Sequence, residues 1–356
     1  MEINFHYYVT YTAAVRAGFS KNEAVEVARA AQYVDECYDV TTQGTSRLIF
    51  SNMVDTLPFY YGKVRDILNI WPVFHFLPGN TARISADVDP GITNGKKVVA
   101  QAPGLICGTE SKATAAIVEA AKTFWADADA TTQQKLLRVG ITMHVLADTF
   151  AHQGFAGIPL FEVNEVAEVK TLELMGNTDC LEKKSFGKLE KSPSFTSSSF
   201  GNLGHGRIGH LPDQPGCTFY YRAQWRKAGD PYIARCNPLE FYCAYLTMIE
   251  AMQYIRGGRE KFSNQVDRAL LLDNTRGRWP ETKKFVDMFN AANQDATLVR
   301  PWFLLVQDVE FPDAYVPYDK KREASLQLDF EKMAKAFHDC VFADCAELRA
   351  YYALYE

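Results

Sequence analysis

The sequence of this chain lacks the features that define several large classes of protein. Its 356 residues contain 38 Lys and Arg against 43 Asp and Glu, so the formal net charge is −5 and no basic excess exists. Long-range attraction to duplex nucleic acid or to an anionic membrane is therefore not expected. No stretch of about 18 apolar residues is present, so no transmembrane helix is predicted.

The N-terminal residues MEINFHYYVTY also lack the elements of a secretory signal. They contain neither a basic segment nor an unbroken apolar segment. We therefore expect a cytoplasmic location, with export by a signal-independent route as the alternative.

Two further absences narrow the chemistry. The eight cysteines include no C-x-x-C pair, which argues against a zinc ribbon and favours buried free thiols. No G-x-S-x-G motif is present, so Ser-His-Asp hydrolysis is not indicated.

The chain does have helical periodicity on both sides of an irregular middle. Ser20 and Glu23 form a capping-box pattern at the start of one apolar repeat. The patterns predict helices at about 20–36, 111–125, 131–152, 238–256 and 325–354, and the best strand candidates are RISADVDP (83–90) and GKKVVAQ (95–101).

The middle of the chain, residues 176–235, is rich in Gly, Ser, Pro and Lys. Such composition is typical of irregular loops, and loops on a rigid scaffold often carry function. We therefore expect an all-α or mainly α bundle, a single metal-binding domain over 1–356, with a long loop-rich insertion at 160–235 lying over the site.

One apolar stretch, RVGITMHVLADTFAHQGFAG (138–157), carries three polar residues at four-residue spacing: His144, Asp148 and His152. On an α-helix these lie within an arc of about 80° and span about 12 Å. The two imidazoles are too far apart to share one ion, and the carboxylate can reach toward either. The spacing therefore favours two or more metal ions along one helix face. The alternative is a polar stripe with ordinary hydrogen bonds.

Most of the remaining histidines also stand in apolar or Gly-rich surroundings. His75 precedes a Pro-Gly turn, and Asp35 ends an apolar helical face. Each one alone is more typical of a structural role. Taken together, the candidate ligands are His6, Asp35, His75, His144, Asp148, His152, His205, His210 and Asp213.

The order of these residues resembles the zinc-dependent phospholipase C and single-strand nuclease superfamily, whose members are mainly helical and hold three zinc ions in a cleft. The segments INFHYYVTYTAAVRAGFS, AAQYVD and MHVLADTFAHQGFAG are similar to a bacterial family of unknown function that resembles a divergent branch of it. The resemblance is a motif order over residues 6–213 and leaves the chain after about residue 256 uncovered.

The resemblance implies a role for each residue and two or three zinc ions. Asp148 would bridge two ions. One of these would be completed by His75 and His144, with Asp35 as ligand or general base, and the other would be bound by His6. A third ion would be held by His152, His205 and an acidic group, for which Asp213 is favoured.

The sequence departs from the superfamily pattern in three places. His152 follows Asp148 by four residues and not six. Gly209 stands where the last acid is expected, so Asp213 or His210 must supply that ligand. The superfamily also uses an N-terminal amine freed by signal cleavage, whereas here no signal is visible and the bulky Glu2 predicts that Met1 is retained.

The leading hypothesis is a zinc-dependent phosphoesterase that hydrolyses a small phosphodiester, with a phospholipid-like substrate favoured and a nuclease-type phosphodiesterase as the alternative. Asp35 and Asp148 are the candidate catalytic residues. A non-enzymatic, metal-stabilised interaction or effector protein is the alternative from a different class. The dipeptide His338-Asp339 suggests an HD-type phosphohydrolase. That motif needs a further histidine downstream, and none follows here.

Overall fold

α-Helices make up most of the described chain. The computed structural model describes residues 1, 3–37, 64–79, 102–172, 203–214, 218–223, 225–226, 232–265, 312–318 and 322–355. The helices are α1 (Thr10–Arg16), α2 (Lys21–Glu36), α3 (Val64–Ile70), α4 (Lys112–Ala126), α5 (Thr132–Ala151), α6 (Phe161–Asn164), α7 (Asn237–Ile255), α8 (Ala324–Asp344) and α9 (Ala346–Tyr352). π-Helical turns cover Asn4–Val9 and Trp71–His75, and 3-10 turns cover Ala102–Leu105, Gly206–Ile208 and Ala353–Tyr355. The prediction of a mainly helical fold is confirmed.

Capping boxes start three of the long helices. The Ser20 hydroxyl accepts from the Glu23 N–H at 3.3 Å, and the Glu23 carboxylate accepts from the Ser20 N–H at 2.8 Å. The same reciprocal pair starts α4 at Ser111 and α5 at Thr131. These bonds satisfy N–H groups that have no partner within the helix, so each helix begins where the sequence predicts.

α5 is the central helix of the fold. It packs against α2, α4, α7 and α8, and every residue of it from Leu136 to Ala151 is buried. At Gly140 the backbone of α5 comes so close to α2 that a Cβ would lie 2.5 Å from the Ala30 Cβ. A helix buried all round must be apolar all round, so the polar residues on α5 need partners inside the protein.

The 160–235 segment contains a small sheet. Its antiparallel strands run in the order β1 (Val166–Leu172), β2 (Thr218–Ala223) and β3 (Tyr232–Cys236). The composition of the segment predicts loops only, and the structure differs because β2 alternates buried Phe219 and Tyr221 with exposed Arg222. This two-residue period is short and lies among Gly- and Ser-rich neighbours.

The predicted strands 83–90 and 95–101 lie outside the described residues. None of the helices in the described ranges combines the length and the apolar character needed to cross a membrane.

Candidate metal centre

Eight of the nine predicted ligands meet in the interior of the protein. The N-terminal π-helical turn, the end of α2, the second π-helical turn, α5 and the 203–214 loop each contribute. Short π-helical turns re-aim side chains and occur often at functional sites. The residues that meet are His6, Asp35, His75, His144, Asp148, His152, His205 and Asp213.

Asp148 lies at the centre, and its two oxygens face different neighbours. Oδ1 lies 2.8 Å from the amine of Met1 and 3.1 Å from His6 Nε2. Oδ2 lies 3.2 Å from His75 Nδ1 and 3.2 Å from His144 Nε2. A carboxylate with this arrangement can bridge two ions.

The first ligand set surrounds Asp148 Oδ2. His75 Nδ1 and His144 Nε2 lie 3.3 Å apart, and Asp35 Oδ1 lies 3.8 Å from each of them. In a tetrahedral zinc site with bonds near 2.0–2.1 Å, neighbouring ligand atoms are about 3.3 Å apart. His75 Nδ1, His144 Nε2 and Asp148 Oδ2 are therefore spaced as three ligands of one zinc-sized ion are, and Asp35 Oδ1 lies somewhat farther from both imidazoles.

The second ligand set surrounds Asp148 Oδ1. His6 Nε2 lies 3.1 Å from this oxygen and 3.7 Å from Asp35 Oδ2. The ring of His6 also stacks on His144, with centroids 3.9 Å apart. Asp35, like Asp148, thus presents one oxygen to each of the first two sets.

The third ligand set is built from α5 and the 203–214 loop. His152 Nε2 lies 3.0 Å from Asp213 Oδ1, and His205 Nε2 lies 3.3 Å from Asp213 Oδ2. The amine of Met1 is 3.4 Å from Asp213 Oδ1, so it lies between the second and third sets.

Outer hydrogen bonds fix how the third-set imidazoles present their nitrogens. His152 Nδ1 donates to the carbonyl oxygen of His75, and His205 Nδ1 donates to that of Gly209 at 2.8 Å. Nε2 of both rings is turned toward Asp213, and in His205, whose pKa is lowered to about 4 by burial, this nitrogen is unprotonated. Metal-binding histidines are held in this way, with the second ring nitrogen donating to a carbonyl or carboxylate.

Burial favours the neutral form of three of the imidazoles, those of His6, His75 and His205. It lowers the pKa of His6 and that of His205 to about 4, and it also lowers the pKa of His75. Both ring nitrogens of His6 are buried without a hydrogen-bond partner. The neutral imidazole of His6, whose Nε2 faces Asp148 Oδ1 at 3.1 Å, therefore fits a divalent cation, because a metal-binding nitrogen must be unprotonated.

The two buried carboxylates, in contrast, stay ionised. Burial opposes this, but His152, the N-terminal amine and His144 hold the pKa of Asp148 well below its usual value. For Asp213, burial is likewise outweighed by His205 and the amine, so its pKa is also well below the usual value. The centre therefore combines imidazole nitrogens with anionic carboxylate oxygens, which are ligand types that zinc binds.

The N-terminal amine carries the counter-charge. Burial alone would lower its pKa, but Asp148, Asp213 and Asp35 together raise it to about 11. At neutral pH the ammonium group of Met1 thus offsets the carboxylates, and it would have to lose a proton before it could bind an ion.

His210 is the predicted ligand that stays outside all three sets. Its side chain is 80% exposed, and its Nδ1 lies 3.8 Å from Asp213 Oδ2. Asp213, by contrast, lies between His152 and His205 and supplies the acid of the third set. The alternative His338-Asp339 pair lies apart from the centre, with the Asp339 carboxylate exposed and bonded to Lys335.

Two contributors were not among the predicted ligands. One is the Met1 amine: the resemblance implies an amine ligand freed by signal cleavage, but no signal is visible in the sequence. The other is Arg235 of β3, which donates to the carbonyl oxygens of Phe150 at 2.8 Å and Gln153 at 3.2 Å. It thereby caps the end of α5 beside His152, and only the tertiary fold brings it there.

Fold and site define a mainly helical protein with buried histidine and aspartate clusters that could hold metal ions. The chain belongs to the family of unknown function DUF6765, whose model matches residues 1–348. No curated protein matches the chain, and no solved structure matches it. The family match includes every residue of the three ligand sets.

Proposed function

We propose that this protein is a metal-dependent phosphodiester hydrolase that holds two or three zinc ions. The observation that supports this most directly is the position of Asp148, whose two oxygens face separate sets of nitrogen ligands at 3.1–3.2 Å. The resemblance of the motif order to the zinc-dependent phospholipase C and nuclease superfamily supports the same reaction.

The chain's own residues divide naturally among the ions. Asp35, His75 and His144 would hold one together with Asp148 Oδ2, and His6 would hold a second with Oδ1 and the deprotonated amine. The third would be held by His152, His205 and Asp213. Ions there would lower the pKa of a bound water and neutralise charge on phosphoryl oxygens.

Asp35 is the carboxylate best placed to act on a water molecule. Its side chain is 19% exposed, against 1% for Asp148 and 12% for Asp213. An acid at the solvent side of the centre can accept a proton from the attacking water as a general base. Asp148, fully enclosed, would serve as the bridge.

A phospholipid-like substrate is favoured over a long nucleic acid. The chain carries a net charge of −5, which repels a polyanion at long range. The half-buried ring of Trp71 lies 5.4 Å from that of His75, where it could pack against an acyl chain.

The experiment uses untagged protein loaded with zinc, with metal counted by mass spectrometry and hydrolysis followed on phosphatidylcholine and on single-stranded DNA. We expect two or three zinc ions and faster release of phosphocholine than of nucleotides. Asp35→Asn should retain metal better than it retains activity, whereas His338→Ala should match wild type. Protein that holds zinc but hydrolyses neither substrate would contradict the enzymatic proposal.

A non-enzymatic role is the second candidate, and the burial of the centre favours it. The third ligand set joins the 203–214 loop to α5, so an ion there would fix the loop to the core. In that case chelation would lower the melting temperature and expose the loop, with no hydrolysis in the zinc-loaded state.

A further inference from the structure

Arg138 is a buried cation on α5 that has no role in the metal centre. The residue is only 4% exposed. Its Nη1 donates to the carbonyl oxygen of Met333 at 3.4 Å, and its guanidinium carbon lies 4.9 Å from the centre of the Phe337 ring. Its Nε is buried without a hydrogen-bond partner.

No carboxylate pairs with Arg138 in the part of the chain that the structure describes. The ionisable group that interacts with it is the thiol of Cys340, which also takes part in a hydrogen bond with the guanidinium. Burial raises the pKa of this thiol by more than the guanidinium lowers it, so the thiol is neutral and gives no counter-charge. A guanidinium keeps its proton in proteins, and an uncompensated buried charge is costly.

A groove of about 660 Å³ borders the Arg138 side chain, between α4, α5 and α8. Its walls are otherwise mostly apolar and small: Ala120, Thr123, Phe124, Ala126, Asp127 and Ala336. The volume lies in the range of small-molecule sites. Asp127 is exposed, and its carboxylate accepts from the Asp129 N–H at 2.9 Å.

We propose that this groove binds a small organic anion with an apolar tail, a medium-chain monocarboxylate. The carboxylate would pair with the Arg138 guanidinium, whose planar fork matches its two oxygens. The chain would lie against Phe124 and the alanines. A dianion such as phosphate fits less well, because only one guanidinium is present and Asp127 would repel the second charge.

The test is calorimetric titration of the full-length, metal-loaded protein with decanoate, and with decanol and acetate as comparisons. We expect decanoate to bind saturably. Decanol and acetate should each bind about tenfold more weakly or worse. Decanol keeps the apolar tail without the charge, and acetate keeps the charge without the tail.

Two variants locate the binding. Arg138→Met should weaken decanoate binding by about tenfold or more, and it should keep or raise the melting temperature, since it removes an unpaired buried charge. Arg256→Met is the matched control, because Arg256 also donates to a carbonyl, that of Ala17 at 3.1 Å, and also lies over a ring, that of Phe19 at 4.5 Å. It should bind decanoate as wild type does.

Ala336→Leu keeps Arg138 and fills the groove, so it should also lose binding if Arg138→Met fails to fold. The proposal is overturned if decanoate binds both groove variants with the affinity it has for wild type, which is the result expected if it binds at the metal ions instead. It is also overturned if decanoate does not bind wild type, or if decanol binds wild type as tightly as decanoate does.

Discussion

At the residue scale, the structure explains how the carboxylate of Asp148 stays ionised within an otherwise apolar helix. Asp148 is 1% exposed, and its oxygens contact four cationic or polar nitrogen groups at 2.8–3.2 Å. A buried carboxylate without such partners would take up a proton. The ionised state of Asp148 therefore depends on all of these neighbours together.

The first prediction compares Asp148→Asn with His152→Ala. Asp148 lies between two ligand sets, so its loss should weaken two ions, whereas loss of His152 weakens one. We expect Asp148→Asn to lower the proposed phosphodiesterase activity by about 100-fold or more and to remove more zinc than His152→Ala does. Metal per chain would be counted by mass spectrometry on both variants. Full retention of zinc by Asp148→Asn would rule out the bridging role.

The second prediction concerns the amine of Met1. Two extra residues placed before Met1 would replace the ammonium group with a neutral amide and leave Asp148 and Asp213 without its charge. We expect the extended protein to bind less zinc and to melt at a lower temperature than the unextended chain. The same two residues added after Glu356 are the control. Equal zinc content and stability in the two extended proteins would show that the amine plays no part.

At the element scale, α5 provides His144 and Asp148 on one face, and His152 is its C-cap. The 203–214 loop provides His205 and Asp213 opposite this end of the helix. Tight contacts hold the surroundings in place: a Cβ on Gly204 would lie 2.3 Å from Phe76, whose ring stacks on His152 with centroids 4.4 Å apart. The position of the 203–214 loop and the orientation of the His152 ring are therefore linked through Phe76.

The third prediction follows for His205→Ala. A loop ligand fixes few buried apolar contacts, so we expect faster proteolysis within 176–235 and little change in the unfolding of the core. His210→Ala is the matched control, because His210 is in the same loop with an 80% exposed side chain. Limited proteolysis of zinc-loaded proteins would measure the difference. Unchanged cleavage of His205→Ala would mean that His205 binds no metal.

Helix positions were largely predictable because their signals are local. α2, α4 and α5 each begin within one residue of the predicted starts at 20, 111 and 131. The predicted helix at 325–354 is instead divided, since Cys345 adopts an extended conformation between α8 and α9. Its sequence contains no Gly or Pro there, so periodicity alone could not locate the break.

The candidate site was partly predictable for a related reason. His144 and Asp148 lie on α5 and His152 caps its last turn, so their spacing sets their geometry. The proximity of His6, His75 and His205 to them came from the resemblance, and the choice of Asp213 over His210 needed the fold. The contributions of the amine and Arg235 depend on tertiary packing, which no short pattern encodes.

At the scale of the whole molecule, the charge balance of the centre links stability to pH. With no ion bound, the imidazoles of His6 and His205 are neutral and the amine is protonated. Each of these groups has a different proton affinity in the unfolded chain. The metal-free protein should therefore have a stability maximum near neutral pH.

The last prediction gives the limits of that maximum. Burial lowers the pKa of His6 and His205 from 6.5 to about 4, so between these values the unfolded chain binds more protons and stability falls as the pH falls. A depression of this size is worth on the order of 3 kcal/mol for each imidazole. The amine behaves oppositely: its pKa is raised from 8.0 to about 11, so its contribution is complete below pH 8 and is lost as the pH rises toward 11.

Urea denaturation of chelator-treated protein across pH 4 to 11 would measure both limits, and we expect the free energy of unfolding to be greatest between about pH 6.5 and 8. The protein extended before Met1 is the internal control, because it should lose the alkaline decline attributable to the amine and keep the acid decline. A free energy that stays level between pH 4 and 6.5 would mean that the imidazoles are not buried as neutral groups. The decline at acid pH should also shrink in His6→Ala, whose remaining centre has one fewer imidazole to protonate on unfolding.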